Sequence, residues 1–597
     1  MTGLDRRRLL ANAGLAGAGW ALSSLLPAWA QSSSGGLQRS PAALSGEDIA
    51  LTIARTHWMV DGREGHAVAI NGTLPGPLIR LREGQRVRLS VANRLDEDTS
   101  IHWHGVLVPH QFDGVPGLSF PGIRPGETFV YEFPVIQSGT YWYHSHSGLQ
   151  EQEGHYAPII IDPAGADPIA YDREYVVVLS DFSFMHPHQI FARLKQQPGA
   201  FNFQRETIEG LAHGRDQPLS DRQMWAGMRM DPTDISDVTG SIYTYLINGH
   251  GPRDNWTALF RPGERVRLRF INAAAMTIFN VRIPGLPMQV VQADGQNVKP
   301  VETDEFQISI AETFDVIVTP GEDRAYTLVA EAVDRSGMAR ATLAPRAGMS
   351  ADVPPLRARP LATMRDMGME MSGSTMSWPG ASGGDNNAGG SSEPGASQSS
   401  GGMAGMDMGG MDMSMRNHDN APQVVMGPGV QMIAPMAVDR LGDRGQGLED
   451  VDHRVLVYTD LEALEPNPDT RTPSRSLELH LTGNMERFMW SFDGQRFSEV
   501  VAPIPFRRDE RVRVTLVNDS MMSHPIHIHG HFFELITGPP GKRPRKHTVN
   551  VLPGGKVSFD LTANAPGDWA FHCHMLYHMH AGMFRVVTVR PLDDARS

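Results

Sequence analysis

Three near-copies of one strand-like segment constrain the fold of this chain most strongly. The segments EGQRVRLSVANRL, GERVRLRFINAA and DERVRVTLVND begin at Glu83, Gly263 and Asp509. Each alternates apolar and polar residues, is rich in β-branched side chains and reaches an Asn near its end, as a half-buried strand leading into a turn would. Because helical periodicity is scarce and Pro-Gly turns are frequent, we predict an all-β chain of three related antiparallel β-sandwiches.

A second repeat links the first and third of these domains. The 22-residue segments PGETFVYEFPVIQSGTYWYHSH and PGGKVSFDLTANAPGDWAFHCH, residues 125–146 and 553–574, both end in His-x-His. The middle domain has comparable strand patterning around Ala311 to Glu331 but lacks this ending. The outer domains are therefore predicted to share a site-bearing edge, with the middle domain as a spacer.

The N-terminus has the pattern of a twin-arginine-like signal peptide over residues 1–30. Asp5 to Leu10 reads DRRRLL, a weakly apolar stretch follows, and Ala28-Trp29-Ala30 is a small-x-small cleavage site. An uncleaved anchor is disfavoured because a Gly-rich apolar run partitions poorly into lipid. We therefore expect export to the periplasm by the twin-arginine route. The predicted domains are 46–165, 170–345 and 446–592.

Residues 346–445 are predicted to form a disordered Met/Gly/Ser-rich linker before the third domain. Eleven of the 31 methionines lie between Met364 and Met415, although a linker normally avoids apolar residues. A flexible tether without a binding role would not explain this excess of methionine, whereas soft thioether side chains select monovalent copper. The candidate Cu(I)-capture residues are Met403, Met406, Met408, Met411, Met413 and Met415.

The net charge and the cysteine content narrow the range of possible functions. A formal charge of −14 without a long basic run argues against binding to nucleic acid or anionic lipid, and we expect no stable membrane insertion after leader cleavage. Cys573 is the sole cysteine, so the chain forms no internal disulfide. An isolated Cys is often only a small buried hydrophobe, but this one stands between two histidines.

Four histidine clusters indicate metal binding. They are HWHG, HSH, HPIHIHG and HCH, beginning at His102, His144, His524 and His572. Residues i and i+2 of a strand project from one face, so each His-x-His presents two imidazoles together. Cys573, His578 and Met583 lie at spacings of five. With a distant histidine, for which His524 is the best candidate, they supply the His₂Cys set and weak axial Met of an electron-transfer copper.

These clusters resemble those of the multicopper oxidases. The resemblance implies three cupredoxin-like, Greek-key domains and four copper ions, with oxygen reduced to water at a trinuclear cluster between the outer domains. It implies a type 1 copper held by His524, Cys573, His578 and Met583, and a type 2 copper held by His102 and His527. The implied ligands of the type 3 pair are His104, His144, His146, His529, His572 and His574.

A narrower resemblance is to a periplasmic copper-resistance branch of that family. It rests on the leader, the Met-rich linker and the strings DRQMWAGMRMDPTD and GNMERFMWSFDG. The methionines of these strings line a copper access route or simply fill the core, and both interpretations stay open. They are Met224, Met228, Met230, Met485 and Met489.

Oxygen reduction also needs proton donors. The resemblance places an acidic residue near the type 2 copper at Asp113, whereas the carboxylate that many relatives have six residues after the cysteine is here Met579. We therefore consider Glu151 and Glu153 as substitutes, each equally interpretable as a surface charge. Together with Cys573, Asp113 and Glu151 are the predicted catalytic residues.

Three functions compete at this stage. The first is a Cu(I) oxidase serving copper resistance, with O₂ as acceptor and periplasmic copper-handling proteins as candidate partners. The second is a laccase-like oxidase of small phenols, and the third is a copper store without turnover. Complete trinuclear ligation argues against storage alone, and a two-domain nitrite reductase plan lacks the paired HSH and HCH sets.

Overall fold

The computed structural model describes residues 43–202, 204–369 and 415–591 and contains three β-sandwiches, which confirms the predicted fold class. The predicted leader and Met403 to Met413 lie outside the described residues. The first sandwich comprises β1 (Asp48–Val60), β2 (Arg63–Ile70), β3 (Ile79–Arg82), β4 (Arg86–Asn93), β5 (His102–His104), β6 (Thr128–Pro134), β7 (Gly139–His144) and β8 (Tyr156–Asp162).

The second sandwich follows directly and carries three helices between its first two strands. These helices are α1 (Pro187–Gln196), α2 (Ile208–Ala212) and α3 (Leu219–Gly227). The strands are β9 (Arg173–Ser183), β10 (Tyr243–Ile247), β11 (Trp256–Leu259), β12 (Val266–Asn272), β13 (Phe279–Arg282), β14 (Met288–Ala293), β15 (Gln296–Thr303), β16 (Glu305–Ile308), β17 (Thr313–Val318), β18 (Tyr326–Ala332) and β19 (Met338–Ala344).

Two short strands and the third sandwich complete the described chain. The last helix, α4 (Leu576–Ala581), follows the HCH motif. The strands are β20 (Val438–Asp439), β21 (Val455–Leu456), β22 (Arg475–Asn484), β23 (Met489–Phe492), β24 (Ile504–Arg507), β25 (Arg511–Asn518), β26 (His524–Ile528), β27 (Phe533–Leu535), β28 (Arg545–Lys546), β29 (Thr548–Val551), β30 (Gly555–Thr562), β31 (Gly567–Cys573) and β32 (Phe584–Arg590).

The three repeated segments occupy the same place in the three sandwiches. They form β4, β12 and β25, which lie inside sheets ordered β1-β4-β6, β9-β12-β17 and β22-β25-β30. Each ends at a fully buried Asn whose amide donates to two backbone carbonyls and whose oxygen accepts the N–H two residues on. The repeated Asn, at positions 93, 272 and 518, therefore fixes the turn after the strand.

The sheets are mixed, so the prediction of purely antiparallel sandwiches is wrong. Each sandwich has one parallel pair among its own strands in each sheet: β1 with β4 and β3 with β8, β9 with β12 and β11 with β19, and β22 with β25 and β24 with β32. The short strands β21 and β20 add parallel pairs with β16 and β30. Parallel neighbours need a crossover, and here the connection passes through the opposite sheet of the sandwich. Amphipathic alternation alone does not reveal the direction of a neighbouring strand.

The described flanks of the predicted linker pack against the sandwiches. Arg357 forms ion pairs with the buried carboxylates of Glu305 and Glu331 in the second sandwich. On the return, the Ala434 N–H donates to buried Asp519, and β20 pairs with β30 of the third sandwich. β21 extends the second sandwich by pairing with β16, although its residues were assigned to domain three from the sequence. Both ends of the Met-rich segment are thus held against the second and third domains.

No helix in the described ranges combines the length and apolar character needed to cross a membrane.

Candidate metal centre

Equivalent strand pairs in the first and third sandwiches bring the histidine clusters together. β5 pairs with β7, which places His102 opposite His144. β26 pairs with β31, which places His527 opposite His572. Because i and i+2 share a face of a strand, each ladder presents several imidazoles on one side, as the sequence predicts.

Eight imidazoles from the two sandwiches meet at one buried junction. Their candidate ligand atoms lie within 4.8 Å of one another in three sets: His102 with His104 and His527, His104 with His144 and His574, and His102 with His146 and His529. The Nε2 atoms of His529 and His572 are 3.1 Å apart, and the rings of His146 and His572 are 5.2 Å apart. Every histidine predicted to belong to the trinuclear site is therefore in this cluster.

Six of the eight imidazoles have a buried ring nitrogen without a hydrogen-bond partner, which is available for a metal. Nδ1 of His102 donates to the Asp113 carbonyl at 2.7 Å, and Nδ1 of His527 donates to the His547 carbonyl at 2.7 Å. Holding one ring nitrogen fixes the orientation of the other, which is the usual arrangement around a bound metal. The buried nitrogens without a hydrogen-bond partner are Nε2 of His102, His144, His146 and His527, Nδ1 of His104, and both ring nitrogens of His574.

The protonation of the cluster also suits copper. Burial, reinforced by neighbouring imidazoles, lowers the pKa of most cluster histidines well below the ordinary 6.5 and that of His572 to about 4. The rings with a lowered pKa are therefore neutral near pH 7, with lone pairs available for a metal. Orphaned buried nitrogens and neutral imidazoles together fit a set of copper ions better than a hydrogen-bonded core.

A second ligand set forms around Cys573 at the end of β31. Its Sγ lies 3.6 Å from Nδ1 of His524 and 3.9 Å from Nδ1 of His578, and these two nitrogens are 3.3 Å apart. Met583 is fully buried beside them, and its carbonyl accepts the Cys573 N–H at 3.1 Å. Burial raises the pKa of the thiol, so a cation is required to stabilise the thiolate.

Asp237 is a site residue that the sequence reasoning missed. Its Oδ2 lies 2.6 Å from Nε2 of His578, and the residue is 5% exposed. Burial raises the pKa of Asp237 to about 8, and burial together with Asp237 and Asp231 raises that of Asp234 to about 8. The signal was present in the sequence, because DPTDISD, residues 231–237, overlaps the acidic end of the methionine string DRQMWAGMRMDPTD.

The predicted proton donors lie in different surroundings. Asp113 is buried, with Oδ2 2.9 Å from Nδ1 of His529 in addition to its carbonyl contact with His102. Glu151 is also buried, with Oε2 2.7 Å from Nδ1 of His144 and Oε1 3.9 Å from Nδ1 of His574. Burial, followed by the nearby charge of Asp181, raises the pKa of Glu151 well above its ordinary value. Glu151 is therefore no surface charge.

Glu153 and Met579 do not share this position. The carboxylate of Glu153 pairs with Arg55 at 3.2 Å and with His186 at 3.8 Å, near the protein surface. Met579 lies in α4, half-buried against the hydrophobic core. Of the two glutamates considered, Glu151 is the one in contact with the imidazole cluster.

The methionines of the two sequence strings lie in segments joined to the loop that contacts His578. Gln431 donates to the Arg229 carbonyl at 3.0 Å and accepts the Met485 N–H at 3.0 Å, which joins the turn after α3 to the loop before β23. Phe488 of that loop packs edge-on against the His578 ring. The half-buried methionines of this region are Met224, Met228, Met230, Met415, Met485 and Met489.

Comparisons with known proteins agree with this geometry. Three models described as multicopper oxidase match residues 52–166, 220–347 and 470–593. Copper resistance protein A of Escherichia coli is 51% identical over 92% of this chain and 93% of the relative, and that of Pseudomonas syringae pv. tomato is 50% identical over 94% and 95%. The solved multicopper oxidase of Campylobacter jejuni, titled a metallo-oxidase, is similar with a TM-score of 0.58 and 19% identity, covering 94% of this chain and 96% of that one.

Proposed function

Because the chain belongs to the multicopper oxidase family, we propose that it oxidises Cu(I) to Cu(II) at the Cys573 site and passes the electrons to O₂ at the imidazole cluster. The cofactor is four copper ions, one type 1, one type 2 and a type 3 pair. In our assignment the type 1 ligands are His524, Cys573, His578 and Met583, and the type 2 ligands are His102 and His527. The type 3 ligands are His104, His144, His146, His529, His572 and His574.

When bound, the copper ions supply one-electron oxidation at one end and four-electron reduction of O₂ at the other. The chain supplies the connection, because Cys573 is bonded in sequence to His572 and His574. Its thiolate and the two imidazoles lie on opposite faces of one strand, so the two sites are joined through a few covalent bonds. Asp113 and Glu151 accept hydrogen bonds from the ring N–H groups of His529 and His144, respectively. We assign these two carboxyl groups as the proton donors for oxygen reduction.

The observation that favours Cu(I) as the reductant is the contact between Asp237 and His578. The outer nitrogen of this type 1 ligand is covered by a carboxylate, with Asp234 and a methionine-bearing turn close to it in sequence. Thioethers are soft ligands that select Cu(I), and a neighbouring carboxylate adds an anionic oxygen ligand for the ion. A cuprous ion bound at Asp237 would be connected to the type 1 ligand His578 through a single hydrogen bond.

Asp237→Asn tests this assignment. The amide keeps an acceptor for His578 but cannot ionise to become an anionic ligand for a bound cation, so we expect Cu(I) oxidation to fall about 10- to 100-fold while the blue copper signal stays intact. Oxidation of a diphenol should change little. Asp334→Asn, at another buried carboxylate of the second sandwich, is the matched control and should leave both rates unchanged. Equal losses with Cu(I) and diphenol would contradict a metal-binding role of Asp237.

A phenol oxidase is the weaker alternative for this geometry. Its substrate would need direct access to His524 or His578, yet both imidazoles have no exposed surface. Trp490 stacks on His578 with ring centres 3.9 Å apart, and Ser520 contacts Nε2 of His524 at 2.7 Å. Storage without turnover is weaker still, because it does not require a thiolate joined to an eight-imidazole cluster.

The cellular role follows from this chemistry as part of the same proposal. Conversion of Cu(I) to the less membrane-permeant Cu(II) would serve copper resistance, the role printed in the names of the relatives. We propose that the protein acts in the periplasm after export through its twin-arginine-like leader. The Met-rich linker would then capture Cu(I). Its C-terminal end is joined to the segment of Gln431, because the Met415 carbonyl accepts the N–H of Ile433, two residues after Gln431.

A further inference from the structure

The tip of one hairpin of the second sandwich is buried at the junction of all three domains. Asp294 and Gly295 form the two-residue turn between β14 and β15, and both have positive φ, +48° and +71°. Such Asp-Gly turns normally face solvent at the end of a hairpin. Here Asp294 is fully buried, and a Cβ on Gly295 would lie 2.3 Å from the Tyr141 ring of the first sandwich. The spacer domain therefore reaches the metal-bearing interface through this turn.

The carboxylate of Asp294 accepts hydrogen bonds from a backbone segment of the third sandwich. Its Oδ2 accepts the N–H groups of His547 and Thr548, both at 3.2 Å, and lies 3.0 Å from Nζ of Lys546. Its Oδ1 accepts the Thr313 N–H of the neighbouring strand at 3.0 Å. Since all these groups are buried, the three backbone N–H groups would lose a buried acceptor without the carboxylate. Asp294 thus fixes where the peptide between His547 and Thr548 lies.

That peptide in turn orients two imidazoles of the cluster. The His547 carbonyl accepts Nδ1–H of His527 at 2.7 Å, and the Thr548 hydroxyl lies 3.3 Å from the same nitrogen and 3.4 Å from Nε2 of His104. The imidazole of His547 fills the space beside Gly105 of the HWHG motif, where a Cβ would come within 2.5 Å of its Nε2. A shift of this peptide would therefore rotate His527.

We propose that Asp294 is a positioning residue for the type 2 copper, through which the second domain sets the orientation of its ligand His527. The inference rests on the proposed assignment of His102 and His527 as the type 2 ligands. It gives the second domain, which contributes no imidazole to the cluster, a role at the trinuclear site beyond spacing the outer domains. His102 needs no such support from the second domain, because its Nδ1 is held by Asp113 of its own domain.

The alternative is that Asp294 only neutralises buried Lys546 at the domain interface. Lys546 has a second carboxylate partner, since Oε1 of Glu312 lies 3.0 Å from its Nζ. Within the part of the chain that the structure describes, the Glu312 carboxylate accepts hydrogen bonds from Ser309 and Tyr458 but none from the His547–Thr548 peptide. Glu312→Gln is therefore the matched control, because it weakens the ion pair while leaving the backbone bonds of Asp294 in place.

The test is copper content and electron paramagnetic resonance of the full copper-loaded chain. In Asp294→Ala we expect type 2 copper to bind about 10- to 100-fold more weakly, with altered type 2 hyperfine splitting and an unchanged blue type 1 band. Asp294→Asn keeps one acceptor oxygen and should show a smaller change of the same kind. Glu312→Gln should retain the wild-type type 2 signal.

Two outcomes would overturn the inference. One is a wild-type type 2 signal in Asp294→Ala, or in Asp294→Asn if the alanine variant fails to fold. The other is an equal change in Glu312→Gln, which would assign the effect to the ion pair. His527→Ala separates this inference from its premise: loss of type 2 copper in His527→Ala with an unaffected Asp294→Ala rejects only the inference, whereas full type 2 copper in His527→Ala rejects the ligand assignment.

Discussion

Cys573→Ser should abolish the blue copper band and reduce oxygen uptake to background. A serine hydroxyl is a hard, weakly acidic donor and replaces neither the soft thiolate nor the bonded path to His572 and His574. The side chain is nearly isosteric at a position with no exposed surface, so the sandwich should fold normally. Absorption spectroscopy, copper analysis and an oxygen electrode measure the three quantities.

The imidazole cluster provides the internal control for this variant. Its nitrogens do not depend on the thiol, so Cys573→Ser should still bind three copper ions and keep the type 2 resonance. Oxygen uptake above background with Cu(I) or a diphenol in this variant would show that electrons enter without passing Cys573. That result would reject the proposed electron path.

Glu151→Gln should slow oxygen reduction about 10²- to 10⁴-fold, the usual contribution of a positioned proton donor. Gln keeps the size of the side chain and a contact with His144 but carries no exchangeable acid proton. Electron entry does not involve Glu151, so the blue copper should be reduced at the normal rate and then stay reduced in the presence of air. Stopped-flow bleaching and recovery of the blue band separate the two half-reactions.

Glu153→Gln is the matched control for that experiment. Glu153 lies two residues away in the same loop but pairs with Arg55 outside the imidazole cluster, so its variant should reoxidise at the wild-type rate. Equal reoxidation rates in wild type and Glu151→Gln would remove Glu151 from the proton path. Asp113 would then be the remaining buried carboxylate of the two predicted from the sequence.

The site residues that could be predicted from the sequence lie close to one another along the chain. A period of two along a strand places the paired histidines of HWHG, HSH and HCH on common faces, and the repeated 22-residue segment indicates that two domains contribute equivalent ladders. The spacing from Cys573 to His578 and Met583 is likewise short. The histidine pairs need only strand geometry, so the sequence predicts which imidazoles share a face, whereas the full ligand sets, which include His578 on α4, came from the resemblance to the multicopper oxidases.

The missed residues reach the site through domain packing. Asp237 follows three helices inserted in the second sandwich, and Asp294 stands at a hairpin turn that its strand pattern would leave exposed. Their contacts with His578 and with the His547–Thr548 peptide join residues 341 and more than 250 positions apart. No local period encodes such contacts. The burial of Glu151 could not be predicted for the same reason, because it depends on parts of the chain that are distant in sequence, Asp181 and the third sandwich.

Cu(I) is the proposed electron source of this multicopper oxidase. Oxygen consumption by the copper-loaded chain tests this directly, with cuprous ion as sole reductant beside a diphenol at matched concentration. We predict rapid uptake with four Cu(I) oxidised per O₂, and much slower uptake with the diphenol. No uptake with Cu(I) above that of Cys573→Ser, in protein that carries all four copper ions, would contradict it.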